Sequence, residues 1–399
     1  MITDKQAREL ADRYGTPLYV FDLAKLRERV QAIRQVLGGD IGLCYAMKAN
    51  PFLVGYLAEM VDGIEVCSPG ELDICRKSNV PEEKIILSGV HKSELDFQQL
   101  FQKQFHGLVT IESKLQFKYL LDNLQPGQEV DVIFRLTSGT QFGMERDEFI
   151  YLVDECKKYS HVHFRGLHYF SGTQKRELKV MRQDIVSLSD FISELKEQAG
   201  VEALRLEYGP GLFVDYFGNG DMDDDIGLLE EVAKALKAAG GQIAVELGRY
   251  IAASCGYYIT KVVDMKRNLG NNFCIVDGGI HHIHYFGQML GIKVPKFRHI
   301  KSDRNEKEAG EDLWNVCGSL CTIHDYLLRN ARLDSVDIGD LFLFQSVGAY
   351  SMTESISLFL SRDLPLVLLI DDYGKEVVAR EHLSTSMLNC AGGIADGVV

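Results

Sequence analysis

The chain is short of positive charge. Its 399 residues carry 43 Lys and Arg against 57 Asp and Glu, a formal net charge of −14. So acidic a surface repels phosphate backbones and anionic lipid, which argues against nucleic-acid and membrane partners. Long hydrophobic runs are absent too. The longest, Leu364 to Ile370, is far too short to span a bilayer. Cysteine pairing motifs are missing. The nine cysteines are odd in number, scattered and outside Cys-x-x-Cys pairs. They predict neither a disulfide framework nor a zinc site, but reduced thiols in a cytoplasmic protein. Met1-Ile2-Thr3-Asp4-Lys5-Gln6 lacks a basic stretch followed by an apolar one, so no signal peptide is expected there. No low-complexity tract and no solenoid-length repeat is found.

What is present is the composition of a soluble globular protein, 46% hydrophobic and 25% charged, at a length that suggests two domains. From about residue 25 to 255, strand-like runs alternate with amphipathic helical stretches. The strand candidates are Gly42–Met47, Gly63–Cys67, Ile85–Ser88, Val130–Leu136, Val162–His168, Leu204–Tyr208 and Gln242–Glu246; helix candidates between them include Asp147–Lys158, Arg182–Gln198 and Gly227–Ala239. Repeated β-then-α units predict parallel strands and a closed eight-fold (β/α)8 TIM barrel. After Cys255 the pattern changes to short β-rich runs (Tyr257–Met265, Phe273–Val276, Ser335–Phe344, Leu366–Ile370) between Gly, Asn and Asp turns, which predicts a second, all-β domain. Pro17–Phe21 is strand-like as well.

Several chemically expressive residues fall at or near predicted barrel-strand ends, the rim on which barrel enzymes build their sites. Lys48 ends the apolar segment Cys44-Tyr45-Ala46-Met47. An apolar wall would disfavour its ammonium, and a neutral amine can form a Schiff base with an aldehyde cofactor such as pyridoxal phosphate (PLP). Glu65 lies late in one strand, His168-Tyr169-Phe170-Ser171-Gly172-Thr173-Gln174 closes another, Gly209-Pro210-Gly211 follows a third, and Glu246-Leu247-Gly248-Arg249 ends the last. Glycines let backbone N–H groups approach a phosphate, and an arginine adds charge-assisted hydrogen bonds. A carboxylate at a pyridine nitrogen keeps the ring protonated. Singly, each signal has a plainer reading: a strand-end lysine in solvent, an ordinary glycine turn, a locally satisfied histidine, a surface ion pair. Downstream, Cys317-Gly318-Ser319-Leu320-Cys321-Thr322-Ile323-His324-Asp325 and Gly348-Ala349-Tyr350-Ser351-Met352 read alone as a buried thiol and a packed aromatic.

Taken in order, these motifs resemble the fold-type III, alanine racemase-like PLP enzymes, and within them the decarboxylases of ornithine, arginine and diaminopimelate. The resemblance runs from Tyr14-Gly15-Thr16-Pro17-Leu18-Tyr19-Val20-Phe21-Asp22 to the motif at Tyr350. It implies a PLP-binding barrel over residues 25–255, a β domain of residues 1–24 and 256–399, and a homodimer with shared active sites. It implies Lys48 as the cofactor's Schiff-base lysine, Glu65 on the lysine side, and Thr173, Gly209, Gly211, Gly248, Arg249 and Tyr350 around the cofactor. Glu246 would pair with the ring nitrogen, which suits decarboxylation rather than racemisation. Cys321 would come from the neighbouring subunit as proton donor. A catalytically silent homologue is the contrary reading, and retention of both Lys48 and Cys321 speaks against it.

The departures concern the substrate. Pro210 removes one N–H from the phosphate loop. Phe170 stands where the family's ring-stacking histidine is expected, and His168 matches an earlier histidine, so either aromatic could stack. Gln141 replaces a common lysine. Thr322 follows Cys321 where the diamino-acid decarboxylases carry an acid for the substrate's far ammonium, a contact worth about 1.5–3 kcal/mol; Asp325 remains as a candidate substrate contact. This Cys-Thr-x-x-Asp pattern resembles a branch found in siderophore and antibiotic biosynthesis, whose substrates are citrate-linked or carrier-bound amino acids. Free diaminopimelate, ornithine or lysine is the alternative. His281-His282-Ile283-His284 offers two metal ligands at most, with Asp277 the nearby carboxylate, and reads as a loop near the substrate entrance; no metal is expected. Asp221–Asp225 lacks the glycine and glutamate of a calcium loop.

Overall fold

Alternation of apolar strands and amphipathic helices produces a closed parallel barrel. The structure, a computed structural model, describes residues 2–200, 204–218, 226–302 and 310–391; Asp221–Asp225 lies outside the described residues. The chain divides into two compact units, one of Arg29–Val214 and Asp223–Ile251, the other of Met1–Glu28, Asp215–Met222 and Ala252–Val399. Strand β1 (Leu18–Asp22) belongs to the second unit. The barrel strands are β2 (Ile41–Ala46), β3 (Gly63–Val66), β4 (Ile85–Leu87), β5 (Leu108–Ile111), β6 (Val130–Arg135), β7 (Val162–Phe170), β8 (Arg205–Gly209) and β9 (Gln242–Leu247), closed by β2 pairing with β9. Cys44 on β2, Ile86 on β4 and Ile133 on β6 form one interior layer from alternate strands.

Local chemistry sets the strand-to-helix turns. Ser68, Ser93 and Ser113 cap the helices Pro69–Lys77, Glu94–Gln102 and Lys114–Asn123, each hydroxyl accepting a first-turn N–H. The approach of β7 to β8 depends on Gly166, at φ +152°, where a Cβ would fall 1.9 Å from the Arg205 carbonyl oxygen.

The strand candidates of the barrel each fall on an observed strand, with ends shifted by a residue or two. The strand they omit is β5. In the second unit β1 runs antiparallel to β10 (Gly256–Asn268) and parallel to β16 (Leu366–Ile370). The sheet continues through β11 (Asn271–Val276), β13 (Glu311–Cys317) and β14 (Tyr326–Asp334) on one side and β17 (Glu376–Arg380) on the other, while β15 (Leu341–Gln345) joins β10 to β12 (Phe297–Ile300). One expectation needs correction. Ser335–Phe344 is a strand only from Leu341, because Asp337 and Asp340 close a turn through Asp340 N–H to the Asp337 carbonyl and Asp337 N–H to the Asp340 carboxylate. The unit is mostly sheet, as expected. Helix Asp4–Tyr14, held by a Thr3/Gln6 capping box, buries Ala7 and Leu10 against Leu18, Val20, Leu343 and Leu368.

Gly166→Ala is expected to lower stability by about 3 kcal/mol through backbone collision at the β7–β8 seam, read as a fall in thermal midpoint; an unchanged midpoint would contradict the register described.

Candidate functional site

Strand β2 delivers Lys48 to the barrel's C-terminal rim. The strand ends at Ala46, and Met47–Ala49 turns tightly as a single 3₁₀ turn. Asn50 anchors the exit, its side chain accepting the Phe52 N–H and its carbonyl accepting the Tyr45 hydroxyl at 3.0 Å. Gly248 lets β9 end against this turn, since a Cβ there would lie 3.1 Å from the Ala46 oxygen and from the Ala49 Cβ.

Two carboxylates, not an apolar wall, surround the Lys48 amine. Its Nζ lies 2.5 Å from Glu65 Oε2 on β3 and 3.6 Å from Glu246 Oε1 on β9. The other Glu246 oxygen meets His168 Nε2 at 3.0 Å. Glu65, His168 and Glu246 are all buried. Burial pushes the Glu246 carboxyl up, but the Lys48 charge and the His168 hydrogen bond outweigh it, and the group is held well below the ordinary glutamate range. Glu65, His168 and Glu246 bring one ligand atom each within 4.8 Å of one another; here the ammonium of Lys48 already supplies the positive charge between the two acids. Cys67 Sγ stands 3.7 Å from Nζ, its thiol pushed up by burial.

The glycine loop lies on the same rim. A Cβ on Gly211, at φ +61°, would fall 1.8 Å from the Gly172 carbonyl oxygen, and one on Gly209 would fall 2.5 Å from Phe170 Cδ2. The segments 170–175 and 209–213 are therefore packed backbone to backbone, tied by Lys175 N–H to the Gly211 carbonyl at 2.8 Å and Phe213 N–H to the Lys175 carbonyl at 3.1 Å. Thr173 sits in this seam. Arg249 is buried at the start of the short helix Arg249–Ala252. The barrel unit thus gathers Lys48, Glu65, His168, Phe170, Thr173, Gly209, Gly211, Glu246, Gly248 and Arg249 on strand ends and the loops that follow them.

Tyr350, Cys321, Thr322 and Asp325 belong to the sheet unit. Tyr350 holds a left-handed backbone, φ +63°, and its carbonyl accepts N–H groups from Thr353 and Glu354. Cys321 is an exposed free thiol. Asp325 does not offer itself to a substrate. It is 3% exposed, and its two oxygens accept the N–H groups of Ile280 at 2.9 Å and Leu320 at 2.8 Å. It clasps the loop after Asp277 to the loop carrying Cys321, and Gly279 and Gly318 have no room for a Cβ beside it. His282 bonds Tyr258 Oη through Nδ1 and the Asp363 carbonyl through Nε2, so both of its ring nitrogens are engaged.

Sequence reasoning missed a buried pair on the same rim. Arg135, ending β6, meets Glu112, just after β5, at 3.3 Å, and Glu112 also accepts the Gly143 N–H at 3.1 Å. This pair fixes the loop that carries Gln141. The available signal was Arg135, a charged residue at the end of the predicted strand Val130–Leu136.

With this geometry in view, the comparisons are specific. Residues 23–253 match the model of the pyridoxal-dependent decarboxylases, pyridoxal binding domain, and the chain belongs to that family. It is 28% identical to the diaminopimelate decarboxylase of Deinococcus radiodurans, over 94% of this chain and 95% of that protein. It is 24% identical to the L-glutamyl-[BtrI acyl-carrier protein] decarboxylase of Niallia circulans, over 93% and 92%. The crystal structure of AQ1208 from Aquifex aeolicus superposes with a TM-score of 0.80 at 25% identity, covering 95% of this chain and 92% of that one. The protein is a PLP-dependent amino-acid decarboxylase, a lyase with the alanine racemase-like fold. The residues present fit the cofactor: an amine at the rim, a carboxylate kept ionised beside it, and a glycine seam too tight for side chains.

Glu246 has its folded value below the ordinary 4.5. Its contribution to stability is therefore complete above that value and is lost as pH falls toward the folded one. Between about pH 6 and pH 3 the denaturation midpoint of the wild type should fall more steeply than that of Glu246→Gln; parallel curves would contradict the assignment.

Proposed function

We propose that the protein decarboxylates an α-amino acid whose far end is already conjugated, through citrate or an acyl carrier, with Lys48, Glu246 and Cys321 as the working groups. The observation that carries the reading is Lys48 standing between Glu65 and Glu246 with His168 behind. When bound, PLP supplies an aldehyde to carry the amino acid and a ring that takes up the electron pair left by departing carbon dioxide. Lys48 would hold the cofactor covalently. Glu246, kept anionic by its neighbours and oriented by His168, would hold the ring nitrogen's proton. Glu65 would orient the Lys48 amine. Gly209, Gly211, Gly248, Arg249, Thr173 and Tyr350 would bind the phosphate end. His168 is spent on Glu246, which leaves Phe170 as the side chain to pack on the ring face.

The working form is a homodimer with shared sites. Cys321 of the partner subunit would protonate the product carbon, its exposure in a single chain being consistent with that role. Thr322 beside it supplies no charge for a free ammonium, and Asp325 is occupied by backbone; both favour a conjugated substrate, as does likeness to the carrier-protein glutamate decarboxylase. The competing reading is free diaminopimelate, favoured by the relatives that carry that name.

Borohydride reduction of the holoprotein followed by peptide mapping should place the cofactor on Lys48, and Lys48→Ala should lose the visible absorption band; an unlabelled Lys48 would overturn the assignment. Cys321→Ala should keep the cofactor while turnover falls about 10²-fold or the proton goes to the wrong carbon. Carbon dioxide release from citryl- or carrier-linked amino acids should exceed that from free ornithine, lysine and diaminopimelate. Faster turnover of free diaminopimelate would replace the conjugate reading with its competitor.

A further inference from the structure

The histidine run set aside as a metal site has a feature the proposed chemistry does not use. His281 is 1% exposed, and among the described residues neither of its ring nitrogens has a hydrogen-bond partner. Its orientation is held. Its ring lies 3.7 Å from that of His282, centroid to centroid, and His282 is pinned at both nitrogens. A buried imidazole with donor and acceptor both unmatched is costly, and buried polar atoms are as a rule satisfied by something.

His281 lines a cleft of about 580 Å³, large enough for a small ligand, together with Arg362 and His382. Arg362 is the cation of the cleft wall, and Asp277 and Asp363 are its acids. Burial and the nearby Arg362 hold His281 down at about 4, so it is neutral and has an N–H to donate. The carboxylate of Asp277 is already taken by the Thr16 and Thr260 hydroxyls and the Lys261 N–H. Asp363 is exposed, and its backbone carbonyl serves His282. Among the described residues the cleft holds no group of three metal-ligating side chains.

The cleft is connected to the loop that carries Cys321. Arg362 donates through Nη2 to the Ser319 carbonyl at 2.9 Å, two residues before that cysteine. A Cβ at Gly279 would stand 3.0 Å from His281 Nδ1 and 2.7 Å from both oxygens of the Asp325 clasp. An anion seated here would be recognised next to the loop that bears the proposed proton donor.

We propose that His281 and Arg362 bind an anionic oxygen group, carboxylate or phosphate, on the handle of the conjugated substrate. This rests on the conjugate reading above and names the chemistry of the handle. His281 supplies one directed N–H and Arg362 the charge; His382 completes the wall.

The test is calorimetric titration of the holoprotein, used so that probes do not enter the cofactor site, with citrate, inorganic phosphate, 4′-phosphopantetheine and neutral pantetheine. The anionic probes should bind and pantetheine should not. Tighter citrate identifies a carboxylate handle, and tighter phosphopantetheine a phosphate one. Arg362→Met, a change at an exposed residue, should weaken the anionic probes about tenfold, as should His281→Phe, and the KM for the conjugate should rise with kcat held. Wild-type affinities in Arg362→Met, or no anion binding at all, would overturn the proposal even in an enzyme that prefers conjugates. Conversely, Arg362-dependent anion binding in an enzyme that prefers free diaminopimelate would remove the conjugate reading and leave the anion site standing.

Discussion

The ammonium of Lys48 held between two buried carboxylates is the interaction on which the barrel's rim depends. Removing Glu65 and Glu246 from water costs on the order of several kcal/mol for each unpaired ion. A single lysine, placed by the tight turn after β2, offsets much of that cost, and His168 satisfies the oxygen that Lys48 does not reach. The arrangement keeps Glu246 charged inside a protein interior, which is the condition for gripping a protonated heterocycle. It also fixes the amine's position before any cofactor arrives, so affinity need not be spent on ordering a mobile side chain.

The same economy governs the glycine seam. Phe170, Gly172 and Thr173 at the end of β7 and just after it, and Gly209 and Gly211 at the end of β8 and just after it, leave no space for a Cβ between them. Pro210 is tolerated because its neighbours, not it, make the close approaches. The absence of its N–H narrows the set of backbone donors to the flanking residues, with Arg249 buried nearby to add charge.

Much of this was legible in the chain. Parallel strands could be read from the alternation of runs such as Val130–Leu136 with helices such as Asp147–Lys158, and the rim motifs from their position at strand ends. β5, Leu-Val-Thr-Ile, was passed over although β3 and β4 are no longer, so length alone did not hide it. The surroundings of Lys48 were misjudged. Its local sequence is apolar, while its partners arrive from β3 and from β9, and only closure of the barrel makes β9 a neighbour of β2. Asp325 was misread for a related reason: Leu320 lies in its own motif, but its other partner, Ile280, comes from a separate loop that the motif does not announce. The Glu112–Arg135 pair was overlooked because neither residue forms a motif alone. Residue type and spacing locate a site; which charges face one another is decided by register.

Strand β1 sets an order of events. It is made before the barrel strands, yet its two flanking partners, Gly256–Ile259 and Leu366–Ile370, are made after them. The barrel unit, which the ribosome delivers almost without interruption between them, has every strand it needs long before the sheet does. Pairings between segments so far apart close slowly, so the sheet unit must wait, one edge of its opening strand unpaired, until Leu366–Ile370 has been made. A stop between Cys255 and Leu366 would release a finished barrel attached to an unclosed sheet edge, a form prone to join with its own kind.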